Sequence, residues 1–398
     1  MTQTIEGTDV AAADVRARVD RLLREHGDDD MTAFLGAQFD AGLARMDYPV
    51  GHGGLDAEPS LQEIVDEALQ AAGRRYTWTR NPMGIGMCGP TIVARGTEEQ
   101  RARFLRPIFT AEELWCQLFS EPGAGSDVAG LATRAERDGD EWIVNGSKIW
   151  TSMAHLARWG LLLARTDPEA PKHEGLTAFI VDMRQPGVEV RPIRSMAGAS
   201  GFNEVFFTNA KIPDSLRVGD VGDGWRVANA TLMNERVSIG SEVAPRGSGP
   251  IAHAVAAWHA STNKTAARRD ELVRLWIDAE LLRLGSLRAQ AVREKGVPGP
   301  EGSVLKLLSG RVGQGISELV VDLMGANGML CSPYTEGHAD ETEAQPRDAV
   351  LAFIGSQSST IAGGTTQIQM NIIGERVLGL PREPGFDPNT PWSQIPRN

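Results

Sequence analysis

The chain has 398 residues, of which 41% are hydrophobic and 6% aromatic, and it carries a formal net charge of −12. This length exceeds that of one usual hydrophobic core, so two or three cooperating domains are expected. The acidic balance argues against nonspecific nucleic-acid binding, because such binding depends on Lys and Arg side chains that neutralise phosphates.

The cysteine content indicates a reducing compartment. Cys88, Cys116 and Cys331 are widely spaced and form no CxxC pair, which leaves too few ligands for a structural zinc site. The seven histidines show no metal-ligand spacing either, so no metal is expected. The N-terminus is polar and lacks the apolar region of a signal peptide, and no apolar run approaches the length of a membrane span. The sequence therefore predicts a cytoplasmic protein that binds neither membrane nor nucleic acid.

The N-terminal stretch, to about residue 112, has the pattern of helices. Helices are predicted over Asp14–Glu25 and Leu61–Ala72, and a capping box at Thr97 opens a third that runs through Phe109. Residues 84–89 spell GxGxxG, but no strand precedes them and Pro90 follows at once. A glycine-rich helix junction is therefore expected here, and not a dinucleotide-binding turn.

The pattern from Trp115 to about Val221 changes to short apolar runs separated by turns. Asn145-Gly146 predicts a hairpin turn between two strands, because both residues tolerate positive φ. Further strands are predicted over Leu176–Val181, Val188–Ile193 and Glu204–Thr208. This stretch is expected to form an antiparallel β domain.

The helical pattern returns from Trp225 onward. The predicted helices are Ala252–His259, Glu271–Val292, Val304–Met324 and Gln367–Leu378. The polar, acidic stretch Cys331–Ala349 is expected to be a surface loop. The chain is accordingly divided into an N-terminal helical domain (1–112), a middle β domain (113–222) and a C-terminal helical domain (223–398).

The segment Ser120–Asp127, with the sequence SEPGAGSD, is the clearest candidate for ligand binding. Pro122, Gly123 and Gly125 allow an irregular backbone that can approach a flat or anionic ligand closely. Taken alone, the segment could equally be a plain surface turn. The chain that follows, however, leads into Lys148-Ile149-Trp150-Thr151-Ser152.

Several motifs in the same order resemble the acyl-CoA dehydrogenase family over nearly the whole chain. Besides the two segments above they are PVGHGG from Pro49, GDGWRVANATLMNER from Gly222 and TIAGGTTQIQMNIIGERVLGLPRE from Thr360. The resemblance implies an α+β fold that is mostly α: a helical N-terminal domain, a middle antiparallel β-barrel and a C-terminal four-helix bundle.

The resemblance also implies the reaction. Enzymes of this family remove hydrogen from Cα and Cβ of an acyl-CoA thioester to leave a trans-2-enoyl-CoA, with FAD as hydride acceptor and an electron-transfer flavoprotein as the next acceptor. Ser126, Arg236 and Gly364 are expected to contact the substrate. The implied cofactor-binding residues are Gln117, Ser120, Gly125, Ser126, Trp150, Thr151, Ser152, Asp322, Gly325, Ala326, Thr365 and Gln367.

The catalytic base is not at its usual place. In many members it directly precedes the glycine that matches Gly364, and here that residue is Gly363. Glu235 offers a replacement, because it continues one face of a predicted helix that also carries Trp225, Ala228, Leu232 and Ile239. A carboxylate on an apolar face is poorly solvated and hence a stronger base, although a structural ion pair is the alternative.

A subset of the family carries its base at this helix position, just before an arginine. The resemblance therefore implies that Glu235 is the base and that Arg236 contacts the substrate, with a buried ion pair as the alternative role for Arg236. It also implies that the backbone N–H of Gly363 binds the thioester oxygen, at a helix start that favours negative charge. Glycine at 363 removes bulk, which would admit branched or larger acyl groups.

Two family features reached from a neighbouring subunit are altered. The usual Arg-Phe-Gly segment is replaced by His259–Arg269, and Asp322 stands where a glutamine is usual. An aspartate near FAD phosphates is unfavourable, so either the adenine end is bound differently or the partner is another polypeptide. A homotetramer or homodimer and a heterotetramer all stay open. The alternative functions are an oxygen-using oxidase or flavin monooxygenase, and a catalytically silent subunit of a heteromer.

Overall fold

A computed structural model of the chain describes residues 11–74, 80–196, 198, 201–239, 243, 245–293, 301–330, 348–382 and 384–396, without the side chains of 235–239, 293 and 301. No helix among these residues is long and apolar enough to cross a lipid bilayer. The helices are α1 (Ala12–His26), α2 (Met31–Asp40), α3 (Gln62–Ala71), α4 (Gly89–Arg95), α5 (Glu98–Thr110), α6 (Gly224–Ile239), α7 (Pro250–Ala260), α8 (Ala266–Arg293), α9 (Glu301–Met324), α10 (Ala349–Ser356) and α11 (Thr366–Arg376).

The strands form one eight-stranded sheet in the order β6-β7-β3-β2-β4-β5-β8, with β1 paired to β4. The predicted antiparallel β domain is confirmed, but two pairings are parallel: β1 with β4, and β2 with β4 at Arg134–Arg165. The strands are β1 (Trp115–Leu118), β2 (Arg134–Asp138), β3 (Glu141–Ser152), β4 (Trp159–Arg165), β5 (Leu176–Asp182), β6 (Val188–Ile193), β7 (Phe202–Pro213) and β8 (Arg217–Val218).

The chain divides into two compact units. The first comprises Met1–Arg191, Phe202–Asn234 and Asp387–Asn398, and the second comprises Pro192–Gly201 and Glu235–Phe386. In the first unit, α1, α2 and α3 enclose a small core around Val15, Phe34 and Val65. The helix α5 and the sheet share a second core, in which Phe104 packs edge-on against Trp115 and Trp159 at centroid distances of 5.4 and 5.1 Å.

The strand β4 lies at the centre of the first unit. All seven of its residues are buried, because Leu161 and Leu163 face the core shared with α5 while Leu162 and Ala164 face a separate core under β3 and β7. A strand buried on both faces reads as a continuous apolar run, which is what this stretch shows.

The second unit is helical and its core lies between α7, α8 and α9. The predicted helices of this part are confirmed to within a few residues at each end, and α10 is an additional helix. The predicted loop Cys331–Ala349 falls largely outside the described residues, except that Ala349 begins α10. The buried apolar residues of the core are Ile251, Ala254, Leu272, Val312, Ile316, Leu319 and Leu323.

Two local predictions for the N-terminal helices are confirmed. The side chain of Thr97 accepts from the backbone N–H of Gln100, and the Gln100 side chain accepts from the backbone N–H of Thr97, which completes the capping box of α5. The glycine-rich segment Gly84–Cys88 is a π-helical turn that runs directly into α4. It is therefore a helix junction, as expected.

The hairpin predicted at Asn145-Gly146 is wrong. β3 passes through both residues without turning, and Gly146, at φ 148°, lies at a shift in its register with β7. The turn lies instead at Gly139 and Asp140, between the paired residues Asp138 and Glu141. Gly146 is required for space, since a Cβ there would lie 2.5 Å from the Thr133 hydroxyl.

Candidate functional site

The segment Ser120–Asp127, which we call the glycine loop, leaves the end of β1 and exposes most of its residues. Glu121 and Ala124 exchange two backbone hydrogen bonds of 3.0 Å, which close a tight turn. Gly123 and Gly125 are exposed, and apart from their chain neighbours no atom of the described residues lies within 4 Å of the place that a Cβ would occupy. The loop therefore presents bare backbone to open space, where a flat ligand can approach it.

Two contacts fix this loop to β3. The Ile149 N–H donates to the carbonyl of Ser120 at 2.9 Å. Below it, Lys148 and Glu121 form an ion pair of 2.7 Å in which the lysine side chain is 0% and the glutamate 8% exposed. Lys148 also donates to the carbonyl of Phe119 at 3.0 Å. The strand that leads to Trp150 thus holds the start of the glycine loop in place.

Glu121 also fixes the chain that leaves the loop. Its carboxylate accepts from the backbone N–H groups of Ala132 at 2.6 Å and Thr133 at 2.9 Å. Burial alone would raise the pKa of Glu121, but the charge of Lys148 and these hydrogen bonds outweigh it and lower that pKa. Burial lowers the pKa of Lys148 in spite of the Glu121 carboxylate. The carboxylate is accordingly held as an anion.

Trp150 lies on β3 in a strained conformation. Its φ of 61° is in the left-handed region, and its side chain is 59% exposed. The register of β3 with β7 shifts between Lys148 and Thr151, so the strand bulges here. Bulges next to functional sites re-aim a side chain, and strain of this kind clusters at ligand sites. The exposed indole, edge-on to Phe202 at 6.2 Å, is available to a ligand.

Thr151 has a buried hydroxyl without a partner. The residue is 1% exposed, and no hydrogen-bond partner for its Oγ1 occurs among the described residues. Such an atom costs free energy unless a ligand or water satisfies it. The next residue, Ser152, is half-buried, and so is Gln117 of β1. Exposed backbone, an exposed indole and an unpaired hydroxyl fit a flat, hydrogen-bonding ring system such as a flavin.

In the second unit, Gly363 and Gly364 form the turn before α11. Both are in the left-handed region, at φ 66° and 91°, and a Cβ on Gly364 would lie 2.5 Å from the Gln369 amide. Gln369 is 1% exposed and donates to the carbonyls of Gly363 at 3.2 Å and Gly364 at 3.5 Å. Thr365 caps the helix by accepting from the Ile368 N–H.

The turn leaves one donor open. Among the described residues none accepts a hydrogen bond from the Gly363 N–H. Gln369, one turn into α11, binds the carbonyls of both glycines and so holds the two peptide groups that follow Gly363. Negative charge is favoured at such a helix start. The turn can therefore bind an oxygen on which negative charge develops.

The remaining candidates of the second unit lie at the end of α9 and near the start of α11. Asp322 is exposed in the last turn of α9, and Gly325 and Ala326 are exposed in the short 3₁₀ turn that follows. No hydrogen bond or ion pair joins this group to Gly363, Gly364, Thr365 or Gln367 within the described part of the chain. Gln367 is exposed near the start of α11.

Glu235 and Arg236 lie in the last two turns of α6, and their side chains are outside those described. The predicted apolar face of α6 is confirmed up to this point: Ala228 is fully buried, and Trp225 and Leu232 pack against the core shared with α5. Thr231 is also buried and hydrogen-bonds Thr91 of α4 at 3.0 Å. The helix backbone continues through Glu235 to Ile239 without a break.

Sequence reasoning missed the residues that support the site. Glu121, Lys148 and Gln369 lie inside the family-like motifs without a role of their own there, and Trp392 lies outside them. The sequence signal is weak: Glu121 and Lys148 lie in polar, glycine-containing stretches, although charged residues are rarely buried unless paired. Their partners are distant in sequence, so the pairing itself was not visible.

Comparisons with known proteins identify three matching family models. They are described as the N-terminal domain (residues 7–112), the middle domain (116–210) and the C-terminal domain (222–378) of acyl-CoA dehydrogenase. The chain is 39% identical over 353 residues to the acyl-CoA dehydrogenase IpdE1 of Mycobacterium tuberculosis (strain ATCC 25618 / H37Rv), which covers 86% of each protein.

A longer relative and a solved structure are also similar to this chain. The acyl-CoA dehydrogenase FadE34 of the same strain is 41% identical over 348 residues, which is 86% of this chain, and the chain spans only 45% of the length of FadE34. The solved structure titled Tcur3481-Tcur3483 steroid ACAD superposes with a TM-score of 0.71 at 25% identity, covering 94% of this chain and 97% of that one.

Proposed function

Because the chain belongs to the acyl-CoA dehydrogenase family and is an FAD-dependent acyl-CoA dehydrogenase, we propose that it removes the α-proton of its substrate with Glu235. The observation that carries this proposal is Gly363. At the position where many members have their base, this chain has a glycine in a left-handed turn, and no side chain is present to take a proton.

Glu235 is proposed because helical spacing predicts it in line with the residues of α6 that pack against the core. Trp225, Ala228 and Leu232 precede it on that face, and the helix continues through it. A carboxylate at the end of an apolar face meets few water molecules, which strengthens it as a general base. The α-proton moves to this carboxylate, while Arg236 is proposed to contact the substrate.

The turn before α11 is proposed to hold the thioester. The Gly363 N–H would donate to the thioester oxygen, where negative charge develops as the proton leaves, and Gly364 would lie against the substrate. FAD, when bound, accepts the hydride from Cβ. Gln117, Ser120, Gly125, Ser126, Trp150, Thr151 and Ser152 would hold its ring system, and Ser126 would also reach the substrate. Thr365, Gln367, Asp322, Gly325 and Ala326 are proposed to contact the cofactor as well.

The variant Glu235→Gln tests the base. It keeps the shape of the side chain but cannot accept the proton, so it should retain FAD and reduce it about 10²–10⁴-fold more slowly with acyl-CoA. Anaerobic loss of flavin absorbance after mixing with acyl-CoA measures this rate. Glu63→Gln, at an exposed position of α3, is the control and should behave as wild type.

Three results would contradict parts of the proposal. Near-wild-type bleaching by Glu235→Gln would rule out Glu235 as the base. A colourless wild-type chain that takes up no FAD would instead indicate a silent subunit that completes a partner's site. Hydrogen peroxide formation during turnover, without reduction of an electron-transfer flavoprotein, would indicate an oxidase.

The acyl group is proposed to be bulky. Gly363 has no side chain, so the volume that a glutamate would fill is open to the substrate, and a similar solved structure is titled a steroid ACAD. A panel of acyl-CoA thioesters checks this expectation, with ring-bearing or branched acyl groups compared with straight short chains. We expect kcat/KM to be highest for the bulky thioesters; turnover of straight short chains alone would contradict it.

We also propose that the enzyme is a homo-oligomer. One face of α8 packs on the core of the second unit through Leu272, while five apolar residues on another face are between 41% and 54% exposed. Apolar rows of this size on a helix mark subunit contacts. We call this row the α8 stripe; its members are Val273, Ile277, Leu281, Leu284 and Leu287.

A further inference from the structure

The segment after residue 386 returns to the first unit and packs against its sheet. Trp392 is only 7% exposed there. Its backbone N–H donates to the carbonyl of Ala170 at 3.0 Å, and that of Ser393 donates to Pro168 at 2.9 Å. This segment lies beyond residues 222–378, which match the C-terminal family model. It makes specific contacts of its own with the first unit.

Trp392 and Arg165 together bind three consecutive carbonyls. The indole N–H of Trp392 donates to Gly130 at 3.3 Å, and Arg165 donates to Ala129 at 2.5 Å and Leu131 at 3.4 Å. The guanidinium of Arg165, a residue only 2% exposed, lies 4.4 Å from the centre of the Trp392 ring. A buried indole N–H needs such a partner, and the stacked cation fixes the ring's plane.

These carbonyls belong to the turn that directly follows the glycine loop. Asp127, the last residue of the loop, also forms an ion pair of 2.8 Å with Lys172, whose carbonyl accepts from Arg165 at 2.9 Å. Gly125 and Ser126 are exposed, and within the described part of the chain neither forms a side-chain hydrogen bond or an ion pair. The position of the loop's end therefore depends on the Arg165–Trp392 contact beneath it.

We infer that Trp392 is a positioning residue for FAD binding: through Arg165 and the turn at Ala129–Leu131, it holds the end of the glycine loop against the flavin. This inference rests on the proposed function, which places the glycine loop along the cofactor. The start of the loop is held by Glu121 and Lys148, and Trp392 adds to the contacts of Arg165, Glu121 and Lys172 that hold its end. Removing it leaves the Gly130 carbonyl without its donor and Arg165 without the ring that it stacks on.

The test compares two tryptophans of the first unit. Trp142 also donates its indole N–H, to Asp214 at 2.8 Å, and also has an arginine over its ring, Arg137 at 5.8 Å. It lies on β3 eight residues before Trp150, roughly 25 Å away along an extended strand. Trp392→Phe and Trp142→Phe each remove one indole hydrogen bond, and only the first removes it from the turn that follows the glycine loop.

We expect Trp392→Phe to release FAD from the holoenzyme about three- to tenfold faster than wild type, and Trp392→Ala faster still. The rate is measured by recovery of flavin fluorescence after dilution, at a temperature where circular dichroism shows every variant folded. Trp142→Phe is expected to lower the Tm and leave the release rate unchanged. Slower FAD release from Trp392→Phe than from Trp392→Ala supports the ring contact with Arg165.

Wild-type release rates in both Trp392 variants would overturn the inference while leaving the proposed function intact. Equal acceleration by Trp142→Phe would also overturn it, because the effect would then report general loss of stability. A wild-type chain that holds no FAD would refute the proposed function, and this inference with it.

Discussion

Trp150 combines strain with exposure, and this combination is unusual for a tryptophan. A left-handed backbone costs a residue with a Cβ roughly 1–2 kcal/mol, and an aromatic ring left 59% exposed recovers little of that by packing. The surrounding contacts hold the residue there. Lys148, two residues before Trp150, forms a buried ion pair with Glu121, and the adjacent Thr151 is buried. This conformation costs the fold free energy, but it exposes the indole to a ligand.

The ion pair between Glu121 and Lys148 couples the two ligand-facing segments. Exposed ion pairs contribute at most about 1 kcal/mol, but this pair is buried, and each partner would be left as an isolated charge if the other were removed. The carboxylate of Glu121 also accepts hydrogen bonds from the backbone N–H groups of Ala132 and Thr133. Loss of either partner should therefore disturb both stability and the glycine loop.

A double-mutant cycle tests this coupling. Lys148→Met and Glu121→Gln should each lower the free energy of unfolding by about 3–5 kcal/mol, because each leaves a buried charge or polar group unpaired. The double variant should lose less than the sum of the two by roughly 1–3 kcal/mol. Urea unfolding followed by tryptophan fluorescence measures these values. Strictly additive losses would mean that the two side chains act independently.

At the scale of elements, local signals predicted helices well. The capping box at Thr97 and the apolar face of α6 depend on residues three or four positions apart, and both occur in the structure as expected. The residues that interact in such a signal lie within one short segment. The segment alone is therefore enough to predict the local structure.

The strand β3 shows why local turn signals fail. Asn145-Gly146 has the preferred hairpin sequence, but here the Asn145 side chain bonds Asn209 of β7, and Gly146 is needed where Thr133 approaches closely. Pairing with β7 over the length of a 12-residue strand outweighs the preference of two residues. The same glycine signal arises from a tight turn and from crowding, and only the fold distinguishes them.

The candidate site was predictable where the motif was contiguous. The glycine loop and Trp150–Ser152 were identified from sequence, because each is a short run with an unusual composition. Their supports were not: Lys148 is 27 residues from Glu121, and Trp392 is 262 residues from Gly130. A buried pair or a returning segment is specified by the packing of the whole unit, and a single sequence does not display it.

At the scale of the molecule, the sheet of the first unit shares one core with α5 and the start of α6. Phe104 and Ile108 of α5, Trp159 of β4 and Val227 of α6 share a single core, and the segment around Trp392 packs on the same unit. Movements within this unit are therefore restricted. The ring-binding surface formed by the glycine loop and Trp150 is accordingly expected to be rigid before its ligand arrives.

The α8 stripe carries the last prediction, which concerns assembly. Leu281→Glu places a charge in the middle of the stripe, where burial against a second subunit would cost several kcal/mol, so the variant should sediment and scatter light as a smaller species than wild type. Val50→Glu, at an aliphatic position that is 68% exposed in the first unit, is the matched control and should keep the wild-type mass.

The same variant shows whether assembly completes the FAD site. Asp322, Gly325 and Ala326 are exposed at the end of α9, and we propose that they contact the FAD of a neighbouring subunit. If the subunits share the cofactor in this way, Leu281→Glu should release FAD faster as it dissociates, and raising its concentration should reverse both effects by mass action. A smaller species that keeps FAD as tightly as wild type would show that each chain binds its cofactor alone. An unchanged mass would show that the stripe is not a subunit contact.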